Sequence, residues 1–333
     1  MSQPSAPPAA RALAAPTTWR VLRELGAQDW ILLAYTAFAM LMTAAGSGPA
    51  YRSALLTTVG LFAFACAGVL SVRAGWLGAG RLAGIVYRVT MWNVVMLAYI
   101  TMRDVLTTAA PQSYDEHLHR LDVLLVGVEP TLLLDRIVSP FLTEWASFFY
   151  FDYFLLLSAY VLPLLFVERR ARVLAEFAFA LMPMTCLVHT LYLLVPGYGP
   201  YKHLADLYVN PLPHGMFYDL VITTVTNAGA QKDIFPSLHT AAPTLLALMS
   251  FRHRARAPFK YVWPVTAFFA VNIIFATLYL RWHYLVDVLA GLALAITFSR
   301  LAPRVVDWEE ARRRRGGLGP LWPPGVRSYV DEA

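Results

Sequence analysis

Apolar runs near twenty residues long alternate with polar connections along most of the chain. A run of that length crosses the roughly 30 Å hydrocarbon core as a helix. The pattern predicts about eight spans: Trp30 to Ala45, Leu55 to Val72, Ile85 to Met102, Trp145 to Val167, Leu174 to Val195, His239 to Phe251, Tyr261 to Leu280, and His283 to Leu301. The sixth is short, and residues of the loop before it are expected to extend it. Two connections are long, Arg103 to Glu144 and Pro196 to Pro236. In the first, Leu121, Leu124, Leu125 and Val128, then Leu132 to Leu134 and Ile137, recur near helical spacing and are broken by Gly127 and Pro130. That reads as a pair of short interfacial helices against the bundle. The fold class is all-α, a polytopic membrane helical bundle.

Composition agrees. The 333 residues are 58% hydrophobic and 14% charged, whereas a soluble domain carries about 25% charged residues. The net charge of +6 comes without a basic-aromatic module, so nucleic acid is not a partner on this reading. The charges instead mark topology. Arg11, Arg20 and Arg23 precede the first span, and Arg73 and Arg81 lie between the second and third. Arg169, Arg170 and Arg172 separate the fourth and fifth; Arg252, Arg254, Arg256 and Lys260 separate the sixth and seventh; Arg312 to Arg315 follow the eighth. Every alternate connection is basic, which places these and both termini in the cytoplasm. The Arg312 to Arg315 run reads as a solvated tail touching anionic headgroups. Met1 to Thr18 is Pro/Ala-rich and reads as a disordered tail ahead of a retained first helix. Cys66 and Cys186 lie in apolar runs and read as small core residues.

This topology carries Pro196 to Pro236, and the turn Leu280-Arg281-Trp282, to the non-cytoplasmic side. His239 and His283 therefore open two helices at one membrane face. Ionisable groups at such places are expensive and point to function. His283 and Asp287 are four apart, so the carboxylate can hold one ring nitrogen and leave the other a better nucleophile or base. Arg281 offers a planar fork of donors suited to phosphate oxygens. Pro236 and Ser237 lead into His239 at a helix start, where backbone N–H groups favour an anion and the serine adds a donor. A second imidazole there can protonate a leaving oxygen. A nucleophile, its orienting carboxylate, an acid and phosphate donors, with no metal cluster, read as phosphoryl transfer through a phosphohistidine.

Pro236-Ser237-Leu238-His239, followed by His283-x3-Asp287 at the head of the last span, resembles the type 2 phosphatidic acid phosphatase superfamily. Within it the chain is similar to the branch of fungal inositolphosphorylceramide synthases and many bacterial homologues. Tyr279 to Asp287 with Val288-Leu289-Ala290-Gly291, Val195 to Pro200, Leu121-Asp122 with Gly127 and Pro130, and Tyr150 to Tyr153 carry the likeness, which covers roughly Leu121 to Leu301. It implies a six-helix core with extra N-terminal spans and metal-independent chemistry. It also implies that His283 attacks phosphorus, Asp287 orients it, His239 protonates the leaving group, and Ser237 and Arg281 hold phosphate oxygens. The superfamily's Lys-x6-Arg-Pro motif is absent; Lys202 and Tyr201 are the nearest substitutes as phosphate ligands. Where the pattern has arginine six residues before the last histidine, this chain has Thr277. Leu238 stands where glycine is usual, a feature shared with the inositolphosphoryl-transfer branch.

Other polar residues have plainer readings. Asp115-Glu116-His117-x-His119 reads as a solvated loop ahead of a metal site. Asp152 reads as closing a hydrogen bond in the bundle, and His189 as a satisfied core histidine. His203 and His214 are candidates for headgroup contact. The domain expectation is a disordered cytoplasmic tail over 1–25, N-terminal helices over 26–105, a catalytic membrane domain over 106–303 and a basic cytoplasmic tail over 304–333. The expected activity is headgroup transfer from a phospholipid or lipid phosphate to a lipid alcohol, or hydrolysis with water as acceptor, with no cofactor. A lipid transporter or flippase, and a non-catalytic lipid-binding scaffold, are the readings from other classes. Abundant Ala, Arg and Trp point to a GC-rich bacterial genome, hence an inner membrane with the site facing outward.

Overall fold

The computed structural model describes residues 18–228 and 231–325. Among these the chain is helical, with no strand and one isolated bridge between Gly197 and Asp233. A short α1 (Thr18–Glu24) meets α2 (Ala27–Ala44) at a 105° bend. The bend falls at Gly26, whose N–H donates to Asp29 Oδ2 at 2.7 Å in the first turn of α2. Then come α3 (Tyr51–Arg73), α4 (Arg81–Ile100) and the short α5 (Met102–Ala109). The first long connection folds into α6 (Asp115–Val126) and α7 (Pro130–Leu134), with Gly127 left-handed between them at φ 80°. This is the expected pair of short helices. Leu124, Leu125 and Val126 of α6 are exposed, as suits helices lying at a lipid boundary.

The fourth span is α8 (Pro140–Phe151) running into α9 (Tyr153–Phe166), and α10 (Ala171–Leu194) follows. The second long connection holds α11 (Pro200–His203) and an unanticipated α12 (Met216–Ala228). Glu144 of α8 accepts from the N–H groups of Phe217 and Tyr218 at 3.1 and 3.0 Å and so caps α12 from a neighbouring helix. The chain closes with α13 (Leu238–Arg252), α14 (Phe259–Tyr279) and α15 (Leu285–Gly316).

All eight apolar segments are helical. Six helices are long and apolar enough to cross a membrane: α3, α4, the α8–α9 pair, α10, α14 and α15; the bent α1–α2 pair makes a seventh if counted as one span. The remaining segment, α13, has 15 residues, about 22 Å of rise. The loop before it does not lengthen it, because Ser237 caps the helix. It is packed among α9, α10, α14 and α15. The protein is an integral membrane helical bundle.

Small residues let the helices approach. A Cβ on Gly68 of α3 would lie 2.0 Å from Thr90 Oγ1 of α4. The two ends of the described chain meet: Arg312 Nη2 donates to the Leu25 carbonyl at 2.8 Å. Here the sequence reading needs one addition and one correction. Arg73, read as a charge that marks topology, is also buried; its Nε donates to Asp29 Oδ2 at 2.7 Å, and its Nη2 donates to the Leu321 carbonyl at 3.0 Å. The Arg312 to Arg315 run is not a solvated tail but the last turn of α15. Arg313 is buried and donates to Glu309 Oε1 (2.9 Å), to the Gly319 carbonyl and to the Glu24 carbonyl (both 2.7 Å). Leu321 and Trp322 beyond it are buried too. Charged donors in apolar surroundings persist where such partners exist. Of the expected disordered tail over 1–25, residues 1–17 lie outside the described residues, and Thr18–Glu24 is helix.

Candidate active site

Two helix starts and one turn build the site. Ser237 is the N-cap of α13: its Oγ accepts from Thr240 N at 3.2 Å, and its N–H donates to the Asp287 carbonyl at 3.0 Å. That second bond ties the start of α13 to the first turn of α15. His239 follows within the first turn. Its ring stacks on Tyr150, with centroids 4.4 Å apart, and leans on Tyr153 at 4.2 Å.

The α14–α15 turn carries Arg281, Trp282 and His283. The backbone N–H groups of Trp282 and His283 both donate to the Thr277 carbonyl, at 3.0 and 3.2 Å. Thr277, at the position where the superfamily pattern has arginine, thus contributes a carbonyl anchor. The His283 ring is buried, 6.1 Å from the His239 ring between centroids. Asp287 is fully buried behind it: Oδ2 accepts from Tyr284 N at 2.9 Å and stands 3.4 Å from His283 Nδ1. That contact is long for a hydrogen bond, and such catalytic contacts tighten when substrate binds. The two motifs meet, as the topology required.

Carboxylates of the first long connection fix this geometry. Asp122 of α6 accepts from Leu285 N (2.6 Å) and Val286 N (2.7 Å), closing the N-terminus of α15. Burial nevertheless raises its pKa to about 6. Asp115, read as part of a solvated loop, is buried. It accepts from the N–H groups of Tyr198 and Gly199, both at 2.8 Å, and from the Tyr284 hydroxyl at 3.2 Å. Gly199 has φ 94°, and a Cβ there would meet the Trp282 carbonyl at 2.4 Å. His119 pairs with Glu129 at 2.9 Å. No group of three metal-ligating side chains occurs among the described residues.

The expected phosphate ligands divide. Ser237 is in place. Arg281 has positive φ (66°), and its Nη2 donates to Asp135 Oδ1 at 2.8 Å and to the Asn210 carbonyl at 2.6 Å. The guanidinium also lies 3.8 Å from the Tyr208 ring centroid. Its first role is therefore to clamp the loop after α11. Its Nε is buried and without a partner among the described residues. Lys202 is exposed and sits 3.6 Å over the Tyr198 ring; Tyr201 packs on Trp282 at 4.7 Å. His203 and His214 lie toward Glu116 (3.5 Å) and Asp219 (2.7 Å). Asp152 is the joint between α8 and α9, its N–H donating to the Phe148 carbonyl.

Two residues escaped the sequence reading. Asp233 is a buried carboxyl two residues before Phe235, close enough to His283 and Tyr99 to interact with both, and burial raises its pKa. Burial pushes the His283 imidazole down to about 4, against the opposing pull of Asp233. Trp282 has a buried Nε1–H with no partner among the described residues. Asp233 was legible only as an acidic residue beside a motif; Trp282 gave no signal beyond lying next to His283.

A cavity of about 1020 Å³, its open mouth included, runs from His239 and Asp233 along α10, between α4 and α9. A smaller one, lined by Tyr150, Phe151, Val221 and Val225, reaches His239 from the α12 side. His239 lines both cavities, and His283, with Asp287 behind it, lies 6.1 Å from it between ring centroids. Residues 116–301 match the family model of the PAP2 superfamily, and the chain belongs to that superfamily. No curated protein and no solved structure matches the chain. Membership supports a lipid phosphatase or phosphotransferase type of function.

Proposed function

We propose that this protein is a metal-independent lipid phosphotransferase working through a phosphohistidine, and that its reaction is inositolphosphoryl or related headgroup transfer of the kind carried out by the inositolphosphorylceramide synthase-like branch. The observation that carries this is the pairing of His239 and His283, 6.1 Å apart between ring centroids, with Asp287 behind His283. In the first step His283 Nε2 attacks phosphorus, an N–P bond forms, and the P–O bond to the lipid breaks. His239 gives its proton to the leaving alkoxide. Asp287 holds the Nδ1–H side of His283 and stabilises the cationic ring. In the second step His239 takes a proton from an incoming hydroxyl, which attacks phosphorus and frees His283. Ser237, Arg281 Nε and Trp282 Nε1 supply donors to the phosphoryl oxygens. Lys202 and Tyr201 flank the approach and meet the rest of the headgroup.

Leu238, in place of the usual glycine, supports a lipid hydroxyl rather than water as acceptor. The basic alternate connections support cytoplasmic termini and an extracytoplasmic site, in a bacterial inner membrane. The catalytic unit extends over 106–303, with α2 to α4 added in front.

The test offers purified protein phosphatidate, diphosphate lipids and phosphatidylinositol, with and without ceramide or diacylglycerol, and follows free phosphate and new phospholipid by mass spectrometry. A new headgroup-bearing lipid, absent with His283→Ala, is the expected result. Free phosphate alone makes water the acceptor. Full turnover by folded His283→Ala removes the nucleophile assignment, and vesicle flux that survives loss of both histidines favours transport.

A further inference from the structure

The apolar cavity carries more information than its link to the histidines. Along α10 it touches Leu174, Phe177, Leu181, Thr185, His189 and Tyr192. Leu174 and Tyr192 are eighteen residues apart, about 27 Å of helix rise, close to the thickness of the hydrocarbon core. Its facing wall is Met91, Trp92, Val95 and Tyr99 of α4, and Trp322 lines it as well. Those residues lie outside the stretch that matches the family. The added N-terminal helices therefore build one side of a channel that the matched region leaves incomplete.

Among the polar groups of this lining, His189 and Tyr153 stand out. His189 is buried, and Tyr35 of α2 packs against it with its hydroxyl 3.2 Å from Nδ1. A buried hydroxyl needs an acceptor, and Nδ1 is the partner this one has. In the neutral ring the proton then sits on Nε2, which has no partner among the described residues. The Tyr153 hydroxyl, also buried at the cavity wall, has none either. Both groups can donate, and buried donors without acceptors are rare in folded proteins. Tyr153 leans on His239, and His189 lies three residues along α10 from Tyr192, about 4.5 Å deeper.

We propose that this is a lipid-chain site in which one hydrocarbon chain lies along α10 and an acyl carbonyl near the headgroup accepts from His189 Nε2–H and Tyr153 O–H. The ligand class is an acyl lipid, with an ester or amide linkage a few bonds from the phosphate. A prenyl phosphate has only hydrocarbon at that depth and leaves both donors unmet. The proposal rests on the lipid-headgroup reading of the site and narrows it to the lipid that carries the phosphate.

The probes are dioleoyl phosphatidate, its dialkyl ether analogue and a polyprenyl phosphate. Retention on His283→Ala protein is read by native mass spectrometry, and turnover by wild type in parallel. The ester is expected to be retained about tenfold better than the ether, the value of one modest hydrogen bond, with the prenyl phosphate below both. His189→Phe or Tyr153→Phe, made in the same His283→Ala background, brings the ester-to-ether ratio toward one. Leu181→Trp, which places an indole about 16 Å below Tyr192, shifts chain preference from eighteen carbons toward eight or ten. Equal retention of ester and ether, a preference for the prenyl phosphate, or a chain-length profile unmoved by Leu181→Trp overturns the proposal. Discriminating retention without turnover of any lipid phosphate upholds the site and defeats the catalytic reading instead.

Discussion

Gly291 gives the sharpest test of how the two histidines are held together. It sits one turn beyond Asp287 on α15, facing the capped start of α13. A Cβ there would stand 2.6 Å from the Ser237 carbonyl oxygen and 3.2 Å from Thr240 Cβ. Ordinary C···O contact begins near 3.3 Å, so Gly291→Ala forces the helices apart by roughly 0.7 Å. The obstacle is backbone and cannot swing aside. Overpacking of this kind costs about 1–3 kcal/mol. The same displacement strains the Ser237 N–H bond to the Asp287 carbonyl and widens the gap between His239 and His283. A misplacement near 1 Å at reacting groups costs about 10²-fold in rate. We expect Gly291→Ala to lower kcat about 10²-fold on whichever lipid phosphate the wild type turns over, while the protein still folds and retains lipid. Gly60→Ala is the control: a Cβ there meets nothing within 4 Å, and alanine in mid-helix is neutral to stabilising by about 1 kcal/mol. Wild-type turnover by Gly291→Ala, with thermal stability unchanged, refutes this account of the site.

Three further outcomes are expected. With the His283 imidazole held near pKa 4, the proposed nucleophile stays neutral through pH 5 to 7, and activity is expected to fall as pH drops through about 4; an acid limb of wild-type activity centred at 6.5 refutes this. The same shift means the unfolded chain binds the extra proton between about 6.5 and 4, so His283 makes the fold less stable as pH falls through that window, measurable as a drop in unfolding midpoint that His283→Gln removes. Asp122→Leu removes the acceptor for both Leu285 and Val286 N–H, a loss of about 1.5–3 kcal/mol for each charge-assisted bond, and should lower the unfolding midpoint and kcat together. Arg281→Ala leaves Asp135 buried without its cation and should destabilise by about 3–5 kcal/mol, with Asp135→Asn non-additive in a double-mutant cycle; a pure KM increase at unchanged stability would instead make Arg281 chiefly a phosphate ligand.

The spans, the interfacial pair and the meeting of His239 with His283 were readable because each follows from a repeated signal: apolar run length, alternate basic connections, and a histidine at each of two helix starts on one face. What stayed hidden has no such periodicity. Arg73 and Arg313 look like topology charges in sequence, but their burial depends on Asp29, Glu309 and the carbonyls of 319–321, contacts between distant parts of the chain. Arg281 was read correctly as an arginine beside the site, yet its orientation is set by Asp135 and Asn210, far from it in sequence. α12 was missed because its apolar face is short and its cap comes from Glu144 of another helix. The cavity was invisible for the same reason: α4, α9 and α10 each read as an ordinary span, and only their packing shows where His189 Nε2 and the Tyr153 hydroxyl are left without a partner among the described residues.

The acidic first connection, so unlike the basic ones, takes on meaning in this light. Asp115 and Asp122 come from α6 and Asp135 follows α7, and each points its carboxylate inward at a different part of the site. Asp115 gathers the backbone of Tyr198 and Gly199, Asp122 closes the start of α15, and Asp135 holds Arg281 and the backbone of Val209 and Asn210. A carboxylate accepting backbone N–H groups fixes loops more firmly than neutral bonds do. Three such clamps on one interfacial segment hold the loop before α11, the loop after it and the His283 turn in one frame. The two histidines then need few bonds of their own to stay aligned. The long 3.4 Å contact between Asp287 and His283 fits that division: the frame sets the position, and under the proposed mechanism the pair is free to tighten on a bound phosphate.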